Sequence, residues 1–209
     1  MEIREEPLSY LEEYARVSIA FEVNRILELS VRSSGLGGLE LLERPHTPSF
    51  VKDYDAIPGN RPTDWAGRFS LSNWGLLSAS LGGHCVGGTA IAFGTPGLLM
   101  LEDRSDLAVV WDLRVSAHAR GQGVGAALFA AAAQWAEARS CRRLKVETQN
   151  INVPACRLYA SQGCTLGAIH RFAYPELPEE VQLLWYKNLC DLGSADDFRE
   201  RGSLCQASL

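Results

Sequence analysis

Arg120-Gly121-Gln122-Gly123-Val124-Gly125-Ala126 joins a strand-like run, Leu107–Val115, to a helix-like run over residues 124–138. A glycine-rich turn that enters a helix presents several unpaired backbone N–H groups at the positive end of the helix dipole. Such a turn binds phosphate, and Arg120 sets a positive charge beside it. Glycine also leaves the backbone bare, so a pyrophosphate can approach the amides closely. The stretch therefore points to a nucleotide-containing ligand with a diphosphate. The competing reading is a plain strand-to-helix connector.

The surroundings narrow the choice. No Gly-Lys-Ser/Thr follows, so this is not a P-loop. The glycines also lack the acidic residue expected about 20 residues on in a repeated βαβ unit, which argues against a dinucleotide fingerprint. Downstream come a β-rich run at 144–148, then Asn152-x-x-Ala155-x-x-x-Tyr159 and Gly163. Together with Arg120-x-x-Gly123-x-Gly125, this segment resembles the paired motifs of the GNAT superfamily of acyl-CoA-dependent N-acyltransferases, with Cys164 where that family has Phe. Within the superfamily the C-terminal half is most similar to the streptothricin acetyltransferases. The similarity is carried by Asp112-Leu113-x-Val115, Glu147-Thr148-Gln149-x-x-Asn152, Ala155-Cys156-x-x-Tyr159 and Leu184-Trp185-Tyr186. Phe21-Glu22-Val23 and Val51-Lys52-x-Tyr54 add fainter similarity, and residues 58–105 show little.

The resemblance implies an α/β (α+β) GNAT fold, a mixed and strongly twisted sheet with splayed central strands and helices on both faces. It implies acetyl-CoA as acetyl donor and a primary amine of a cationic small molecule as acceptor. A polyamine, a peptide or protein amine, and a catalytically degenerate acyl-CoA-binding module are the alternatives. The acetyl-CoA contacts it implies are Leu113, Arg114, Val115, Arg120, Gly121, Gln122, Gly123, Val124, Gly125, Ala126, Asn152, Cys156 and Tyr159. Backbone N–H groups of Leu113 and Val115 would bond the thioester carbonyl and pantetheine amides unless they pair in the sheet. Asn152 would bond the pantetheine arm, or cap its helix.

Tyr159 matches the family's general acid. A phenol, with an ordinary pKa near 10, can protonate a leaving thiolate whose conjugate acid titrates at about 8 to 9; core packing is the other reading. The base is less plain. Members with a base on the fourth strand carry a carboxylate or histidine two residues before Leu113, and this chain has Trp111 there. Asp112 is adjacent, but strand alternation sends it to the opposite face. Glu147 on the next strand is the better candidate, as contact for a cationic amine or, through water, as acceptor of its proton, against a partly exposed strand residue in an ion pair; direct attack by the small neutral fraction of the amine is a further route.

The 209 residues, 46% hydrophobic and 22% charged, suit one buried core. A single domain is expected over residues 1–190, with the motif-bearing core at about 75–188 and a polar tail at 191–209. A net charge of -5 opposes general nucleic-acid binding, which needs a basic face. The acidic N-terminus is unlike a signal peptide, and no apolar run approaches the roughly 20 residues that span a bilayer. The six cysteines show no Cys-x-x-Cys pair and read as reduced thiols, in keeping with a cytoplasmic protein. The four histidines show no i, i+4 spacing, so no metal site is expected. A homodimer is compatible with these features.

Along the chain, residues 5–16 read as a short helix, 17–31 as a strand and 33–38 as a turn. Residues 39–74, broken by Pro45, Pro48, Pro58 and Pro62, resist assignment. Residues 76–81 and 85–93 form a hairpin about Gly82-Gly83, and 95–106 a loop. Val124, Leu128, Ala131, Trp135 and Ala138 make one helical stripe. A helix over Val153–Ser161 and strands at 165–174 and 181–187 complete a β-β-β-α-β-α-β-β succession.

Overall fold

The computed structural model describes residues 1–189, so the expected tail at 191–209 lies outside the described residues. In chain order the elements are β1 (Glu2–Glu5), α1 (Leu11–Tyr14), β2 (Phe21–Val31), β3 (Leu39–Lys52), β4 (Gly75–Leu81) and β5 (His84–Ala92). Then follow β6 (Leu107–Val115), α2 (Val124–Glu137), β7 (Arg143–Gln149), α3 (Val153–Ser161), β8 (Thr165–His170) and β9 (Gln182–Asn188). Seven strands form one mixed sheet in the order β1-β4-β5-β6-β7-β9-β8, while β2 and β3 pair only with each other. The single parallel pair is β6–β7, because α2 carries the chain back across the sheet between them.

Three differences from the sequence reading stand out. β1 pairs with β4 although its four residues show little apolar signal. The Pro-broken stretch holds the 14-residue β3, and Pro48 falls in the break of its register with β2, between Pro45 opposite Arg25 and Phe50 opposite Val23. The last strands are shorter: β8 stops at His170, and residues 171–181 form a loop.

The sheet divides the core in two. On one face Val124, Leu128, Phe129, Ala132 and Ala136 of α2 pack with Cys156 and Tyr159 of α3 on Ala108, Val110, Leu144 and Val146. The small alanines let α2 lie close, and full burial of a side chain such as Leu128 or Phe129 contributes roughly 1.5–3 kcal/mol. On the other face Tyr14, Trp65, Leu71, Trp74 and Val109 form a second cluster against which Phe69 and Trp111 pack.

β6 changes phase partway along. Its register with β5 runs Thr89↔Leu113 and Ala90↔Asp112, then jumps to Ile91↔Val110, so Trp111 is the extra residue of a β-bulge. Before the bulge Ala108 and Val110 face α2 while Val109 and Trp111 face the aromatic cluster. After it Leu113 and Val115 face the helices, and Asp112 and Arg114 turn to Tyr14. The expectation that Asp112 and Trp111 occupy opposite faces is thereby corrected, since an inserted residue cancels the two-residue alternation.

Candidate functional site

The bulge also opens the sheet. Pairing of β6 with β7 stops at Val110↔Val146, whereas β7 goes on pairing with β9 through Gln149↔Gln182. Ser116 N–H bonds Val86 O at 2.8 Å on the β5 side of the strand. By backbone alternation the N–H groups of Leu113 and Val115 point the other way, to the edge that β7 has left. The wedge between the two strands is the centre of a cavity of about 890 Å³.

One end of this cavity is the glycine turn. Gly121 and Gly123 adopt φ of +75° and +82°, and nothing lies within 4 Å of where a Cβ would stand on either. Among the described residues, none of the backbone N–H groups from Gly121 to Ala126 has a protein partner, and the first helical bond is Ala127 N–H to Gly123 O at 3.0 Å. Six adjacent free amides at a 14-residue helix N-terminus, on a bare backbone, fit the diphosphate of a CoA-type ligand. The open β6 edge fits its amide-bearing arm. Arg120 folds over the same end, with Nε on Val115 O at 3.0 Å and Nη2 on Ala20 O at 2.7 Å.

Leu113, Arg114, Val115, Arg120, Gly121, Gly123, Val124, Gly125, Ala126, Asn152, Tyr159 and Glu147 all line this one cavity. Two residues singled out in the sequence do not. Gln122 turns back to bond His118 O at 2.8 Å, and Cys156 is buried in the core, where burial pushes its thiol up to about 12. The Arg114 guanidinium is committed within the protein. It is buried, bonds both oxygens of Asp112 at 2.8 Å, bonds both oxygens of Asp55 at 2.9 and 3.2 Å, and reaches Val17 O at 3.0 Å. Asp112, which also accepts from Tyr14 Oη, is therefore a structural counter-ion. Asn152 caps α3, its Oδ1 accepting from Ala155 N–H at 3.2 Å, which leaves its amide nitrogen for a ligand.

Tyr159 is 5% exposed and packs on Phe129 with ring centroids 5.5 Å apart. Its hydroxyl has no protein partner, yet among the described residues the only buried polar side-chain atom both sealed from solvent and unpaired is Trp185 Nε1. The hydroxyl is thus open to the cavity. Burial, reinforced by the Asp112 charge, raises its pKa well above 10, so the proton is retained at neutral pH.

Glu147 stands on β7 where the wedge opens. It accepts from Tyr174 Oη, from Gln182 Nε2 at 2.9 Å and from Gln149 Nε2 at 3.4 Å. Every one of these partners is neutral, and among the described residues no Lys or Arg pairs with it. A second carboxylate, Glu180, lies in the same wall and is 6% exposed. It accepts from Tyr54 Oη at 2.7 Å and forms an ion pair with Lys52. Burial followed by these carboxylates raises the pKa of both Tyr54 and Tyr174. Tyr54, Asp55, Trp65, Tyr174 and Glu180 were not singled out as site residues in the sequence; the faint Val51-Lys52-x-Tyr54 similarity was the one available signal.

The sequence model described as Acetyltransferase (GNAT) family matches residues 38–164, more than half of the chain, and the chain belongs to that family. A streptothricin acetyltransferase of Escherichia coli is 42% identical over 85 residues, which is 39% of this chain and 49% of that protein. Streptothricin acetyltransferase A of Bacillus subtilis (strain 168) is 36% identical over 81 residues, 38% of this chain and 47% of that protein. These matches thus span about half the length of each relative. A solved Bacillus anthracis str. Ames structure in complex with acetyl coenzyme A superposes with a TM-score of 0.68 at 26% identity, covering 90% of this chain and 98% of that one.

Proposed function

We propose that this GNAT-family chain transfers an acetyl group from acetyl-CoA to a primary amine of a cationic small molecule, with a streptothricin-like compound as the leading acceptor. The observation that carries the reading is Glu147, a partly buried carboxylate with only neutral partners, in the same cavity as Tyr159 and the open edge of β6. Neutral hydrogen-bond donors hold this carboxylate in place but leave its charge for a cation to meet. The names of the curated relatives support the acceptor class.

Acetyl-CoA supplies the thioester whose carbonyl carbon the amine attacks and whose sulfur departs as thiolate. The amides of residues 121–126, with Arg120 beside them, would bind the diphosphate. The Leu113 and Val115 amides would donate to the carbonyl oxygen as charge develops on it. Glu147 would attract the ammonium and receive its proton, directly or through one water, so that nitrogen gains the lone pair needed for attack. Tyr159 Oη would give its proton to the departing sulfur. Attack leaves a second proton on the now cationic nitrogen, which would pass to the Tyr159 phenolate formed when the sulfur is protonated; the C–N bond made, the C–S bond broken and these three proton transfers leave one proton on Glu147, released to solvent.

The test is release of free thiol from acetyl-CoA across a panel of amines that includes streptothricin and simple polyamines. Turnover with a cationic amine, together with a raised KM for it in Glu147→Gln, is the expected result. Absence of turnover with every amine would leave an acyl-CoA-binding module instead.

A further inference from the structure

Two carboxylates in the cavity wall each accept from a tyrosine hydroxyl, and one of them also holds a cation. Glu180 accepts from the hydroxyl of Tyr54 and holds the Lys52 ammonium, which also lies 4.8 Å from the centroid of the Tyr54 ring. Glu147 accepts from the hydroxyl of Tyr174 and from the Gln182 amide but holds no cation. The two are joined through β9: Glu147 pairs in register with Leu184, and Glu180 precedes the strand by two residues. The Lys52–Glu180–Tyr54 group thus displays, within the chain itself, how an ammonium is seated here. A carboxylate takes its charge, a tyrosine hydroxyl fixes that carboxylate, and a tyrosine ring faces the cation.

The other charges of the lining are either paired or, like Arg120, exposed. Asp55 and Asp112 share Arg114. Lys52 and Glu180 keep 14% and 7% of their side chains exposed, so neither is free to exchange its partner for solvent. Glu22 and Arg68 line the mouth and are exposed.

Building on the acetyltransferase reading above, we propose that Glu180 is a specificity-determining residue. It cancels the charge of its partner Lys52 beside the acceptor wall, so that Glu147 with Tyr174 forms a subsite for one ammonium group of the acceptor. The same ion pair joins the end of β3 to the loop at residues 171–181, and so holds two distant parts of the chain as one wall. Without Glu180 the Lys52 ammonium, buried next to the wall, would stand uncompensated against an incoming cation. Like charges at short range in a protein interior repel far more than in water.

The experiment measures KM for streptothricin by thiol release, its calorimetric Kd, and the Kd of acetyl-CoA, for the parent, Glu180→Gln, Lys52→Met and the Lys52→Met/Glu180→Gln double variant. Glu180→Gln is expected to raise KM and Kd for streptothricin by about tenfold or more, with acetyl-CoA affinity unchanged. The double variant, which removes both charges, is expected to recover to within about threefold of the parent, a coupling that a double-mutant cycle isolates. A folded Glu180→Gln protein with parental streptothricin affinity would overturn the charge-cancelling role. A double variant as impaired as Glu180→Gln would do the same, since it would reduce the pair to a structural tie. If the parent itself binds acetyl-CoA but neither binds nor acetylates streptothricin, the acceptor reading falls and takes the ammonium subsite with it. If it acetylates streptothricin and the charge series is flat, only the role of Glu180 falls.

Discussion

Tyr159→Phe separates a catalytic hydroxyl from a packing one. The ring is 95% buried against Phe129 and the α2 face, and Phe keeps that packing. The hydroxyl makes no hydrogen bond among the described residues, so its removal forfeits none of the roughly 1 kcal/mol that a typical internal hydrogen bond contributes there. Folding stability is therefore expected to stay within about 0.5 kcal/mol of the parent. Catalysis should respond quite differently. A general acid contributes on the order of 10²–10⁴ in rate, so kcat should fall by at least about tenfold while the acetyl-CoA Kd changes little. Burial holds the phenol protonated well above its ordinary pKa of 10, so parental kcat should show no alkaline loss from this group between pH 7 and 10. Urea unfolding and single-turnover thiol release on the same preparations provide both numbers. A kcat within about twofold of the parent, where chemistry limits the rate, would refute the acid role and pass it to water. A stability loss above about 1 kcal/mol would instead show that the hydroxyl is part of the core's hydrogen bonding.

Further outcomes follow from the same geometry. Gly123→Glu places a carboxylate among the free amides and forces a side chain onto φ of +82°, so calorimetric acetyl-CoA binding should be lost in a protein that remains folded; unchanged affinity would remove the turn from the binding site. Arg114→Met strips the shared cation from two carboxylates that are only 18% and 8% exposed, and urea unfolding should report a loss of about 3–5 kcal/mol; a loss under about 1 kcal/mol would mean the network relaxes at little cost. Burial raises the pKa of Tyr14, Tyr54, Tyr159 and Tyr174 above 10, so their contribution to stability is complete below pH 10 and is lost as pH rises toward the folded values. Unfolding free energy should thus be flat on their account from pH 7 to 10 and fall above it, with their phenolate absorbance appearing together with unfolding; absorbance from these buried rings in the folded protein below pH 10 would contradict it.

The sequence by itself determined the chemistry of the donor side. The Arg120 to Ala126 turn, Asn152 and Tyr159 are local signals, because free amides at a helix start and a side chain one or two turns along a helix are set by nearby residues. Glu147 was legible for the same reason, as one position on a strand next to those motifs. The bulge at Trp111 was not legible, since an apolar residue there satisfies the alternation it breaks, and only the register with β5 exposes the shift. That shift decided the fate of Asp112 and Arg114, which became a buried ion pair on the far face, and it opened the wedge beside β7. Tertiary structure alone also built the acceptor wall. Lys52 and Glu180 lie 128 positions apart, Tyr54 and Glu180 lie 126 apart, and nothing local in either segment announces the other. Charge compensation across such distances depends on how the β2–β3 ribbon and the 171–181 loop are brought together, so which carboxylate has a cationic partner is a property of the fold and not of the sequence pattern.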